Sequence, residues 1–198
     1  MQQRELGVLD ALRRNGVRDL SHTLVLDVGC GHGQWLNDLI KWGAQPLNLA
    51  GIDLLPERVM AARARLPQQV QLHVGSATEL PAPTAAFDIV LQSTVFSSIL
   101  DHETRRCVAA EMLRVLRPEG LIVWYDFFLD NPRNSDVRGV RRNDIRTLFP
   151  NCVIDIRRAT LAPPIARRIA PISRLACGVL ETFPILRTHY LGVIRRVA

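Results

Sequence analysis

The sequence predicts an α/β protein built on a doubly wound, mostly parallel sheet of about seven strands. Three observations predict it. Short β-branched apolar runs alternate with amphipathic stretches of helical period. The first of these runs ends on three closely spaced glycines that lead straight into an amphipathic stretch. A proline-interrupted segment, residues 161–184, precedes one more strand-like run, which places a short helical insert before the final strand.

Residues 23–29 (TLVLDVG) form a buried strand halted by glycine. A helix follows over 34–42, with Trp35, Leu36, Leu39 and Ile40 at helical spacing. Residues 48–54 (NLAGIDL) are the second strand, and 56–66 the second helix, with Pro56 suited to its first turn. Residues 70–75 and 87–93 (FDIVLQS) are the third and fourth strands. Asp101 caps a helix running to about Arg117, on which Val108, Met112, Val115 and Leu116 share a face; RPEG ends it. Residues 121–127 (LIVWYDF) are the fifth strand. A polar loop covers 129–140, a short helix 144–149, and strands 152–158 and 188–195. Right-handed crossovers between parallel strands then give a Rossmann-like layout. In it, ligands lie beyond the carboxyl ends of the strands, where the chain order reverses. The loops after Val28, Leu54, Gly75, Ser93 and Phe127 are therefore the ones to carry a site.

At 198 residues and 47% hydrophobic, the chain suffices for one domain, 1–198, with a full core. Its four cysteines, Cys30, Cys107, Cys152 and Cys177, form no CxxC pair and share no metal-ligand spacing with histidine. No metal is expected, and reduced thiols fit a cytoplasmic setting. Residues 1–16 are polar and broken by charge, unlike a signal peptide, and no apolar run nears the roughly 18 residues of a membrane span. Lys41 is the one lysine among 25 basic residues, a bias that fits a GC-rich bacterial genome. The net charge of +6 is localised: from residue 157 onward eight arginines face one acid, Glu181. The plainest account of those arginines is a solvated face.

The sharpest signal is Asp27-Val28-Gly29-Cys30-Gly31-His32-Gly33. Glycine lacks Cβ and tolerates positive φ, so such a loop makes a tight strand-to-helix turn whose backbone N–H groups face a ligand. Asp53 ends the second strand about 20 residues further on, where a carboxylate can accept both hydroxyls of a ribose. A dinucleotide site calls for G-x-G-x-x-G with a pyrophosphate on the helix N-terminus. Here the spacing is G-x-G-x-G, Gln34 stands where the last glycine belongs, and Asp27 beside the loop would repel a pyrophosphate. The acid suits an ammonium group instead.

With these features in view, DVGCGHG, GIDLLPE, VGSATELP, AFDIVLQSTVF and EMLRVLRPEGLIVWYDF resemble, in order, the motifs of class I S-adenosylmethionine-dependent methyltransferases. The resemblance is dense over 23–127 and fades beyond; it also implies that the last strand, 188–195, runs antiparallel to the rest of the sheet. It implies S-adenosylmethionine as cofactor and S-adenosylhomocysteine as product. It implies that Asp27 and the loop of Gly29, Cys30, Gly31 and Gly33 hold the methionine portion, that Asp53 holds the ribose, and that Leu54 covers the adenine. Ser76 and Ala77 would meet the adenine edge, and Gln92 and Ser93 the methionine end. Where the family usually has aspartate after Gly75, this chain has Ser76, a neutral acceptor, so adenine recognition should be somewhat weaker. Asp88, at the start of its strand, is expected to be structural.

Methyl transfer to an alcohol or phenol also needs a base. His32 in the glycine loop and Asp126 at the end of the fifth strand are the candidates. His73, His102, His189 and Tyr190 are expected in packing or surface roles. The loop 131–140, with Arg133 and Arg138, could close over an acidic acceptor. The expected reaction is methylation of a small-molecule or lipid-linked acceptor, oxygen favoured. The alternatives are a nicotinamide-dependent oxidoreductase of similar fold and a non-catalytic cofactor-binding partner protein. Nucleic acid is disfavoured: Gln92-Ser93-Thr94-Val95 replaces the [Asn/Asp]-Pro-Pro-aromatic motif of base methylation, and only 6% of residues are aromatic. Arg167, Arg168 and Arg174 beside an apolar stripe give 161–184 two readings, a cap over the active-site mouth or a peripheral membrane contact.

Overall fold

The computed structural model describes residues 3–130, 134–162, 165, 168–169, 180 and 183–197. Its elements run α1 (Gln3–Arg14), β1 (Val25–Val28), α2 (Gln34–Lys41), β2 (Leu49–Asp53), α3 (Pro56–Arg63), β3 (Gln71–Val74) and β4 (Phe87–Ser93). They continue with α4 (His102–Val115), β5 (Leu116–Phe127), α5 (Arg142–Leu148), β6 (Cys152–Leu161) and β7 (Arg187–Arg196). The seven strands form one sheet in the order β3-β2-β1-β4-β5-β7-β6. β1 to β5 pair in parallel, and β7 lies antiparallel between β5 and β6. The chain order reverses between β1 and β4, so the loops after Val28 and Ser93 flank the crevice.

Apolar residues cover both faces, as a parallel sheet with helices on each side requires. Val25, Leu91, Val123 and Leu191 pack with Val8, Leu12, Trp35 and Leu36 on the α1/α2 face. Leu26, Val90, Ile122 and Ile194 pack with Val108, Met112 and Ile145 on the α4/α5 face. The cap on α4 is as expected: Asp101 Oδ2 accepts the Thr104 N–H at 2.7 Å. Asp88 is structural: Oδ2 accepts the Leu24 N–H at 2.9 Å and Oδ1 takes Arg117 Nη1 at 2.6 Å, at the edge remote from the crevice.

Two elements differ from the sequence reading. RPEG is not a turn: β5 begins at Leu116, which pairs with Phe87 through a bulge before the register settles at Ile89↔Leu121. The bulge absorbs Pro118, whose missing N–H would otherwise break a ladder. Helix α1 went unread behind its charges, although Val8, Ala11 and Leu12 stand at helical spacing and are all buried. The insert expected over 161–184 lies for the most part outside the described residues.

Candidate functional site

The glycine turn after β1 is built by conformation and by close packing. Gly29, Gly31 and Gly33 have φ of 71°, 52° and 75°, a region where a Cβ is strained. A Cβ on Gly29 would collide with Val95 Cγ2, and one on Gly33 would stand 2.6 Å from Leu66 Cδ1. At Gly31 a Cβ would meet nothing within 4 Å. The first and third glycines therefore seat the β4 loop and α3, and the second opens onto free space. The backbone donors correct the sequence reading. Gly29 and Cys30 N–H both donate to the Ile52 carbonyl, at 2.8 and 2.9 Å, and Gly33 N–H donates to the Cys30 carbonyl. They fasten β1 to β2 and close the turn instead of facing a ligand.

Two carboxylates border this turn. Asp53 is buried; Oδ2 accepts the Gly31 N–H at 2.8 Å and Oδ1 the Leu55 N–H at 3.0 Å. A carboxylate has about four lone-pair sites, so acceptor capacity remains for hydroxyl donors. Asp27 is different. It is 1% exposed, and neither carboxylate oxygen has a hydrogen-bond partner. Burial, with the Asp53 charge added, holds its pKa well above the usual carboxylate range. A buried polar group left unpaired costs on the order of 1–3 kcal/mol, more if charged. Such a group is expected where a cationic ligand completes the site. The same burial, with the charges of Asp27 and Asp53, pushes the Cys30 thiol up to about 12. Its side chain packs into the core against Gly51, so only its backbone belongs to the turn.

One more charged group shares this face. Arg4, in the first turn of α1, sets its guanidinium carbon 4.5 Å from the Trp35 ring centroid and 5.9 Å from that of Tyr125. Tyr125 stacks on His189 at 4.7 Å, and its hydroxyl donates to Thr160 Oγ1 at 3.0 Å. Burial, aided by the Arg4 charge, pushes His189 down to about 4.

Residues 25–120 match the methyltransferase domain family. An S-adenosylmethionine-dependent methyltransferase from Mesorhizobium loti superposes with a TM-score of 0.66 over 96% of this chain and 98% of its own, at 19% identity. The fold is that of the class I S-adenosylmethionine-dependent methyltransferases, and just under half of the chain matches a methyltransferase domain. Among curated methyltransferases, the demethylmenaquinone methyltransferase of Lactococcus lactis is 29% identical over 62% of this chain and 48% of its own length. The dimethylglycine N-methyltransferase of Parasynechococcus marenigrum is 30% identical over 52% of this chain and 36% of its own. This chain thus spans about half the length of such relatives, or less.

S-adenosylmethionine, the methyltransferase cofactor, fits the residues present. It carries an ammonium for the unpartnered Asp27 and a ribose for Asp53, and it has no phosphate to meet either acid. Leu54 is 67% exposed beside Asp53, free to cover a planar base. Ser76 is exposed and tied locally, its Oγ 2.7 Å from Thr78 Oγ1 and accepting the Thr78 N–H; Ala77 packs against the α4-side core. Arg114 steadies that loop by donating to the Leu80 and Ala82 carbonyls.

Strand register separates the remaining methyltransferase candidates. Asp27 pairs with Leu91, and Leu91 with Val123, so Ser93, Tyr125 and Phe127 lie on the face of Asp27. Gln92 and Asp126 lie on the opposite face. Gln92 is fully buried and its Oε1 accepts the Val95 N–H, so it holds the loop over Gly29. Asp126 is likewise fully buried, and its two oxygens accept the Ser97 and Phe127 N–H groups. Asp126, the candidate base at the end of the fifth strand, thus sits buried on the face away from Asp27. His32 is exposed on the turn. Arg138 offers its N–H to the Ser97 carbonyl, while Arg133 falls outside the described residues. Arg4 was missed from the sequence together with the helix that carries it.

Proposed function

We propose that this chain transfers a methyl group from S-adenosylmethionine to a small-molecule acceptor. The observation that carries the reading is the buried Asp27 carboxylate with no partner, beside a glycine that leaves room for a ligand. When bound, the cofactor would supply an electrophilic methyl whose sulfonium sulfur is the leaving group for in-line attack by the acceptor. The chain's part is chiefly positioning. Asp27 holds the ammonium, Asp53 the ribose, and the Val95 loop packed on Gly29 fixes the methionine end against β4.

The two curated relatives named above bear a quinone and an amine in their names. Their shared stretch is therefore read as the cofactor half, with the acceptor chosen elsewhere. Oxygen is the acceptor atom we favour. His32, exposed on the turn, is the group proposed to take the acceptor's proton, and Asp126 to position the β4 loop. A lipid-linked acceptor would be reached through 161–184; flotation with anionic liposomes tests that contact, and failure to cofloat rejects it.

Calorimetric titration with S-adenosylhomocysteine and with NAD tests the donor reading. Micromolar binding of the first and none of the second is expected. Binding of NAD alone would replace the methyltransferase by an oxidoreductase. Turnover of methyl-labelled donor with phenol, quinol, carboxylate and amine acceptors then decides between catalysis and a binding-only role.

A further inference from the structure

We propose that Arg4 binds the α-carboxylate of the methyl donor's amino-acid portion, so that Asp27 and Arg4 together form a site for a zwitterion. The inference rests on the donor reading above and extends it to α1, which lies outside the matched residues 25–120.

Placement comes first. Trp35 is the second residue of α2 and leaves the glycine turn directly. Tyr125 pairs with Ser93 at the carboxyl end of β4 and shares the face of Asp27. A guanidinium lying over both rings therefore sits between the turn and the end of β5, on the Asp27 side of the sheet.

Its donors come next. Arg4 Nε is buried and has no hydrogen-bond partner. Contact with Trp35 and Tyr125 uses the face of the guanidinium and leaves its in-plane N–H fork for an acceptor. That fork matches a carboxylate in geometry and charge. Neither Tyr125 nor His189 brings it a competing anion. Tyr125 turns its hydroxyl to Thr160, and His189, stacked behind it, is held neutral at ordinary pH.

The crevice thus presents an unpaired buried carboxylate and a guanidinium with an unpaired donor on one face. No hydrogen bond or ion pair joins the two. An α-amino acid end, with ammonium and carboxylate on one carbon, satisfies both at once. A ligand with only one of those charges would leave the other group unpaired.

The test compares two probes by calorimetry. S-adenosylhomocysteine has the amino-acid end; 5′-methylthioadenosine keeps the nucleoside and thioether and lacks it. Arg4→Met should weaken S-adenosylhomocysteine at least tenfold and 5′-methylthioadenosine less than twofold. Arg4→Lys, which keeps the charge and loses the fork, should fall between. Equal S-adenosylhomocysteine affinity in Arg4→Met and the parent chain overturns the proposal, and so does an equal loss of both probes, which would mark Arg4 as merely structural. If the parent chain binds neither probe, the donor reading itself fails.

Discussion

The Gly31 N–H donates to Asp53 Oδ2 at 2.8 Å, across 22 residues of chain. The glycine turn and Asp53, the carboxylate proposed to hold the ribose, are therefore one hydrogen-bonded unit, joined before any ligand arrives. The other oxygen of Asp53 holds the Leu55 N–H and with it the start of α3. Asp53→Ala removes both bonds and the hydroxyl acceptor together. S-adenosylhomocysteine affinity should drop more than tenfold, and stability should fall by about 1–3 kcal/mol. Calorimetry and urea unfolding measure the two separately. An unchanged dissociation constant would remove Asp53 from the ribose site.

Gly29 and Gly31 should respond differently to alanine. Both have positive φ, which costs about 1–2 kcal/mol once a Cβ is present. Gly29→Ala also drives that Cβ into Val95, adding overpacking of about 1–3 kcal/mol. Gly31→Ala meets open space, so only the conformational cost remains. In a Gly29→Ala/Val95→Ala double mutant the steric part should be recovered, and denaturant midpoints give the coupling. Equal destabilisation by the two glycine substitutions would contradict the packing described.

The charge state of Asp27 makes a pH prediction with a definite sign. Its pKa is raised on folding by burial and by Asp53, so the native chain binds the proton more tightly than the unfolded chain does. Stability should then fall as pH rises above the ordinary carboxylate value near 4. Asp27→Asn should flatten that decline and raise the unfolding midpoint at pH 7.5. It should also weaken S-adenosylhomocysteine, because an amide has no charge for an ammonium. Ionising Asp27 to receive the ammonium releases a proton, so the binding enthalpy of the parent chain should vary with the buffer's ionisation enthalpy. A midpoint lowered by Asp27→Asn would show that the carboxylate is already satisfied without ligand.

Much of this architecture was legible because burial writes it into the residues. β1 and β2 are buried throughout and β4 through its middle, so all three read as largely apolar runs, and Asp101 marks the start of α4 as its cap. Pro56 marked the first turn of α3 in the same way. What escaped depends on contacts between distant segments. That Gly33 packs on Leu66, or that Gly29 and Cys30 share the Ile52 carbonyl, has no local signature. The resemblance assigns Gln92 and Ser93 alike to the methionine end, whereas strand alternation sends them to opposite faces. Arg4 escaped because α1 is charged on one side and shows only a short apolar stripe.

Asp126 shows how a carboxylate at the crevice edge can serve geometry. Burial pushes its pKa up to about 6 against the lowering effect of the Ser97 and Phe127 N–H groups. Its neighbour Arg105 is also buried and donates to the Ile99 carbonyl at 2.6 Å and the Arg138 carbonyl at 3.1 Å. Together they pin the turn Phe96–Ser98 and the 134–140 segment to the end of β5. Folding raises the Asp126 pKa, so this group's contribution to native stability declines between about pH 4 and 6 and is level above that range. Asp126→Asn keeps one oxygen acceptor and removes the charge, so the decline over that range should shrink. Once an acceptor is found, kcat for Asp126→Asn should stay within a few fold of the parent value at pH 7.5, whereas a general base would lose roughly 10²–10⁴-fold. Arg105→Leu should cost more, about 1–3 kcal/mol, because two carbonyls lose their donor at once. A loss of kcat in Asp126→Asn with stability and S-adenosylhomocysteine affinity intact would return this aspartate to the chemistry.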